Sequence, residues 1–278
     1  MTRSDWSSGS LPYGTDVYDV RGAYRQLEAW RPYILLLDAA YVLFVWKVAP
    51  KIRKLRTDPR LLRDLSIIWN AFNAVTSMYM FLLLLPELIS SLGNGWYHTT
   101  CKVGTFYTGQ WSGHAMYLFC LSKLWELGDT ILLVLRGRQL LFLHYFHHSV
   151  VLIQVIFTYY SAGSMARLGT DMNSFVHSLM YSYFALVNVV PSIRRFAPVI
   201  TCLQISQFVV ACIGMLSLAG YVMAGYECET NKMALPLHFA IYVIFFGLFT
   251  QFFVDSYGTK KGSERQRPGR SLRAKKRV

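Results

Sequence analysis

Four short stretches of this 278-residue chain set ionisable or amide side chains inside otherwise apolar segments. "KLWELGDT" spaces Lys123, Glu126 and Asp129 three residues apart. On a helix, that spacing steps around about a third of the circumference and keeps the three on one broad face. "HYFHH" puts His144, His147 and His148 at i, i+3 and i+4, a single stripe. "MNSFVHSLMYSY" spaces Asn173, His177 and Tyr181 four apart, and "TCLQISQ" spaces Gln204 and Gln207 three apart. An isolated charge at the centre of a membrane span costs ~2.5–3.5 kcal/mol on insertion scales, so such groups face the protein interior. There they are either structural or chemical. A Lys–Glu pair neutralises itself and locks helices together, and Asn or Gln pairs bond helix to helix. An imidazole near neutral pKa serves as nucleophile or general base, with carboxylates to orient it.

The elements carrying these groups read as membrane helices. Hydrophobic residues make up 54% of the chain and are clustered. Seven segments reach the ~20 residues that a helical span needs, at roughly 32–50, 65–90, 111–135, 139–161, 170–190, 198–224 and 234–254. The expected fold is an all-α integral membrane protein of seven helices. Residues 1–30 read as a polar N-terminal segment with no apolar core, 31–257 as one membrane domain, and 258–278 as a disordered basic tail. The net charge of +13 is concentrated in alternate loops: "KIRKLRTDPRLLRD", "RGR", "SIRR" and the tail after Tyr257. That alternation places the C-terminus in the cytosol and the N-terminus in a lumen, and argues against a nucleic-acid partner. The same loops suit a polyanion such as a coenzyme phosphate or anionic lipid. The chain ends in "KKRV", a dilysine pattern of endoplasmic reticulum membrane proteins that is also simply basic. Cys101 and Cys228 fall in two non-cytosolic loops, where either a disulfide or two free thiols fit.

Depth joins the polar groups. His144 to His148, Glu126, Asp129, Gln204 and Gln207 fall in one slab ~8–15 Å below the cytosolic surface, with His177 nearer the midplane. Three chemistries compete for it. HxxHH is also a di-iron motif of membrane desaturases, but seven histidines in all, three of them at the opposite membrane face, are too few for such a centre; no metal is expected. Cys120 is one turn from Lys123 yet has no paired histidine. Acyl transfer run by histidine itself is the third.

The ordered motifs "KLWELGDT", "HYFHH", "HSLMY" and "TCLQISQ" resemble KxxExxDT, HxxHH, HxxMY and TxxQxxQ of the fatty acid elongases, the ELO family of 3-oxoacyl-CoA synthases, over about residues 30–255. The text around the histidines is closest to the branch acting on saturated and monounsaturated chains. Tyr145 and Phe146 depart from the Trp and Tyr common there. The resemblance implies condensation of malonyl-CoA with a medium- or long-chain acyl-CoA, releasing CO2 and CoA, with no cofactor beyond these substrates. It implies six helices around a tunnel with the first outside. It also implies partners in the membrane: a ketoacyl-CoA reductase, a hydroxyacyl-CoA dehydratase and an enoyl-CoA reductase.

On that reading His147 is the nucleophile of a two-step reaction, with His144 and His148 beside it. His177 assists decarboxylation, Asn173 and Gln204 are oxyanion donors, and Glu126 and Asp129 orient imidazoles and Lys123. Arg136, Arg138, Arg194, Arg195 and Lys260 would meet CoA phosphates, and Tyr159 and Tyr160 would end the acyl tunnel. A seven-helix transporter or receptor for a lipid-like ligand is the reading from another class.

Overall fold

A computed structural model describes residues 18–54 and 58–258, and within them the chain is helical, with no strand. Four stretches are long and apolar enough to cross a bilayer: Val20–Ile52, Pro59–Gly93, Pro191–Met223 and Leu235–Tyr257. The protein is therefore a multi-pass membrane protein. Residues 1–17, Lys260 and the "KKRV" end lie outside the described residues.

The first helix, α1 (Val20–Leu43), begins about ten residues before the end of the polar N-terminal segment, ahead of the expected first span. Asp19 caps it by accepting from the Gly22 N–H, and Val20, Ala23, Leu27 and Ile34 form a buried stripe that draws this polar turn onto the bundle. A π-helical turn, Phe44–Val48, carries the chain into α2 (Ala49–Ile52). Asp58 caps α3 (Pro59–Gly93), with Pro59 at the first position where a missing N–H costs nothing. A short α4 (Trp96–Cys101) precedes α5 (Gln110–Trp125) and α6 (Gly128–Leu135). Then come α7 (Phe142–Ser161), α8 (Ala166–Leu186), a 3-10 turn at Pro191–Phe196, α9 (Ala197–Met223) and α10 (Leu235–Tyr257). The segments α5 and α6 are each short, while α7 and α8 carry the histidines, Arg167, Asp171 and Asn173 that dilute their apolar runs. For that reason they do not stand out by apolarity.

Helix α3 lies along α8, α9 along α10, and α1 against α7, with α5 touching both α3 and α7. The main core gathers Leu27, Tyr41, Met80, Leu84, Met116, Phe119, Leu152 and Tyr159 from these helices. A smaller cluster of Phe208, Phe245 and Phe249 joins α9 to α10, and Phe146 of α7 packs on it.

The "KLWELGDT" stretch is not one continuous helix. It tightens at Glu126 and Leu127, where Asp129 N–H and Thr130 N–H donate to carbonyls three residues back, at Glu126 and Leu127. A Cβ at Gly128 would sit 2.7 Å from the Trp69 ring, so only glycine lets the indole pass at this break. Lys123 and Glu126 thus lie at the end of α5, while Asp129 stands in the first turn of α6.

The far end of the bundle is tied by one guanidinium. Arg167, fully buried, donates to both carboxylate oxygens of Glu87 at 2.7 and 2.8 Å and to the carbonyls of Thr99, Lys102 and Val103. Cys101 and Cys228 are joined by a disulfide beside it, and the Glu229 carboxylate accepts from the Val103 N–H.

Candidate active site

Helices α5 and α8 meet at Lys123, and α9 joins them through Asn173. Its ammonium donates to Glu126 Oε1 at 2.8 Å and to Asn173 Oδ1 on α8 at 3.1 Å, and it lies over the Phe119 ring. Ser122 donates to the same Glu126 oxygen at 2.9 Å, and His177 Nδ1 stands 3.8 Å from it. Asn173 in turn donates to Gln207 Oε1 on α9 at 3.5 Å. Ammonium, carboxylate, the Gln207 amide and the imidazole are buried here and Asn173 is half-buried; the hydrogen bonds among ammonium, carboxylate and amides are what make that tolerable.

Asp129 forms a second centre. Trp69 Nε1 donates to its Oδ1 at 2.6 Å and the Tyr181 hydroxyl to its Oδ2 at 2.7 Å, while His148 Nε2 lies 3.9 Å from Oδ2. Asp129 is therefore held by α3 and α8 and aimed at the histidine stripe. His144 Nε2 is 2.9 Å from Thr130 Oγ1, and its ring lies 4.5 Å from that of His148.

His147 differs from its neighbours. It packs against Phe245 and Phe249 and borders a cavity. Asn173, Gln207, Phe119 and Met172 also line that cavity, and further along it come Val155, Gln154 and Thr158. A second cavity shares Gln154, Thr158 and Tyr242 with the first and continues to Ser161, Thr230 and His238. Together they trace a path from His147 toward the Arg167 end.

Other expected site residues lie outside this network. Gln204 donates to Met180 Sδ, so it is Gln207 that stands beside Asn173. Arg136 is engaged with Ser66 and Asn188, Arg195 lies over Phe196, and Arg138 and Arg194 are exposed. Tyr159 packs on Tyr107 and Tyr117, and Tyr160 on Tyr24. Those contacts place both tyrosines against α1, α5 and the loop before it rather than on the cavity stripe of Val151, Gln154, Val155 and Thr158, so they do not close the path. Among the described residues, no group of three or more His, Cys, Asp or Glu is arranged to hold a metal ion.

Trp69, Tyr41 and Gln154 are part of this arrangement and were not singled out by the sequence, and Thr130 entered only as the last residue of its motif. The trace they left is polarity inside an apolar run, shared by many interfacial residues.

An all-helical membrane protein with a buried charge network beside a histidine-bordered cavity is one class; its family is narrower. Residues 26–265 match the ELO, GNS1/SUR4 family, and the chain belongs to it. It is 37% identical over 225 residues to very long chain fatty acid elongase 6 of Drosophila melanogaster, covering 79% of this chain and 71% of that protein. To long chain fatty acid elongase 1 of Caenorhabditis elegans it is 35% identical, over 71% of this chain and 69% of that one. To fatty acid elongase 2 of Trypanosoma brucei brucei it is 32% identical, over 82% and 89%.

Proposed function

We propose that this protein is the condensing enzyme of fatty acid elongation, joining malonyl-CoA to a medium- or long-chain acyl-CoA. The observation that carries the reading is His147: alone of its stripe it borders the cavity, with Asn173 and Gln207 on the same wall and apolar side chains beyond. The relatives' names support the same process.

In the first half-reaction an imidazole nitrogen of His147 attacks the thioester carbonyl, the C–S bond breaks, and the imidazole proton leaves with the CoA thiolate as CoASH. In the second, malonyl-CoA loses CO2, and the resulting carbanion attacks the acyl carbonyl. The C–N bond then breaks and His147 regains a proton. One proton is consumed per turnover, and no oxidant or reductant is needed. Asn173 and Gln207 are suited to hold the oxyanion of each tetrahedral intermediate. His177, beside Glu126, is suited to assist decarboxylation. The cavity beyond holds the acyl tail away from water.

The wider reading is seven spans with six around the tunnel, in the endoplasmic reticulum membrane with the N-terminus lumenal. The exposed arginines of the basic loops, Arg138 and Arg194 among them, are suited to meet the CoA phosphates. The 3-oxoacyl-CoA product passes to a reductase, a dehydratase and a second reductase. The branch acting on saturated and monounsaturated chains fits the local motif text.

Incubation of the purified protein with acyl-CoA alone tests the two-step route. It expects about one equivalent of CoASH and an acyl mass increment on the peptide containing His147, both lost in His147→Ala. Neither signal in a protein that extends acyl-CoA with labelled malonyl-CoA would leave direct attack in a ternary complex. No label fixed into any longer chain would favour a carrier or receptor instead.

A further inference from the structure

Helix α1 is tied to the histidine stripe through hydrogen bonds as well as packing. The Tyr41 hydroxyl lies 2.8 Å from Thr130 Oγ1, and the same oxygen lies 2.9 Å from His144 Nε2. One turn back, Asp38 Oδ2 accepts from Ser149 Oγ at 3.0 Å. Two side chains three residues apart on α1 therefore grip α7, one directly at Ser149 and one through Thr130 at His144. The grips bracket His147 and His148. Tyr41 and Thr130 are both buried, so neither hydroxyl has water to fall back on.

Proton accounting gives the chain a direction. Thr130 Oγ1 carries one proton. A phenol donating to Thr130 leaves that proton for His144 Nε2, and every hydroxyl proton is placed. The opposite order sends the Thr130 proton to Tyr41 and strands the buried phenolic proton. The first order makes Nε2 of His144 an acceptor and puts its own proton on Nδ1. The π turn begins three residues after Tyr41, and Tyr41, Val45 and Ala49 are all buried across it.

We propose that Tyr41 is a positioning residue for the histidine stripe, fixing the tautomer and ring orientation of His144 through Thr130. His144 lies against His148, whose ring stands perpendicular to that of His147 at 5.5 Å, so the orientation is passed to the group that borders the cavity. The proposal rests on the condensing reading for its catalytic consequence but not for its geometry.

The test uses the full chain in detergent micelles, labelled with 15N-histidine, with His144→Ala to assign the His144 signals. Tyr41→Phe keeps the ring and removes only the hydroxyl. It is expected to convert the single His144 tautomer to a mixture. It is also expected to lower kcat about tenfold with both KM values unchanged. Thr130→Val should do the same and Thr130→Ser should restore wild-type behaviour. Val45→Ala loosens the same helix without touching the chain and should leave tautomer and kcat alone. A wild-type tautomer or a wild-type kcat in Tyr41→Phe overturns the proposal, as does an equal kcat loss in Val45→Ala. A changed tautomer in a protein whose wild type condenses nothing would reject the condensing reading and leave the positioning one standing.

Discussion

Lys123 and Glu126 meet at 2.8 Å with their side chains only 3% and 4% exposed. A buried pair of this kind is costly to break from one side, because the partner is left charged and uncompensated. Lys123→Met is therefore expected to destabilise the protein by about 3 kcal/mol. The double variant Lys123→Met, Glu126→Leu should recover most of that. Melting curves in detergent check both, and an unchanged midpoint in the single variant would contradict the pair's role.

Gln207 and Asn173 share a wall with His147, whereas Gln204 turns to Met180. Removing one oxyanion donor costs about a hundredfold in kcat or more. Gln207→Leu should show such a loss with modest change in KM, and Gln204→Leu should keep most activity. The reverse ranking, read from steady-state kinetics, would move the oxyanion site to Gln204.

Chain length should follow the cavity wall. Thr158 lies on it, so Thr158→Phe is expected to shorten the products by filling space that the acyl tail uses. Tyr159, fully buried among aromatic rings, should instead act on stability: Tyr159→Ala is expected to cost roughly 3–5 kcal/mol without lengthening the products. Gas chromatography of products from graded acyl-CoA substrates decides it. Longer chains from Tyr159→Ala would restore the tyrosine as the limit.

The Cys101–Cys228 bridge joins residues 127 apart in sequence. On the chain-entropy account, closing so long a loop contributes about 4–5 kcal/mol. Cys101→Ser with Cys228→Ser should lower the melting midpoint. Non-reducing peptide mapping should recover the two half-cystines together, and two freely alkylated thiols would contradict the bridge.

The four polar motifs were legible because charge and amide groups are rare in apolar segments. The structure brings Lys123, Glu126, Asn173, His177 and Gln207 into one contact network. What could not be read was rotation. Gln204 and Gln207 are three residues apart, and only the packing of α9 against α8 and α10 decides which faces Asn173. The break at Glu126 and Leu127 was hidden because each residue there is compatible with helix; the close passage of Trp69 over Gly128 is a tertiary fact. Tyr41 and Trp69 looked like ordinary membrane aromatics until their polar atoms found Thr130 and Asp129. Arg167 read as a loop charge, yet it is wholly buried, since its five hydrogen bonds come from chain on both sides of it in space.

That last arginine also sets an order of manufacture. Glu87 leaves the ribosome 80 residues ahead of Arg167, and Cys101 leaves 127 residues ahead of Cys228. While α3 and α4 wait, a carboxylate destined for the interior has no counter-charge, and the carbonyls of Thr99, Lys102 and Val103 lack the guanidinium they will share. The far end of the bundle cannot be finished locally, helix by helix. It is sealed only when α8 delivers the guanidinium, and it is fastened covalently only when the segment before α10 arrives. A chain truncated between α3 and α8 would hold Glu87 and Cys101 unpaired. Those two exposed groups mark an unfinished copy apart from a completed one.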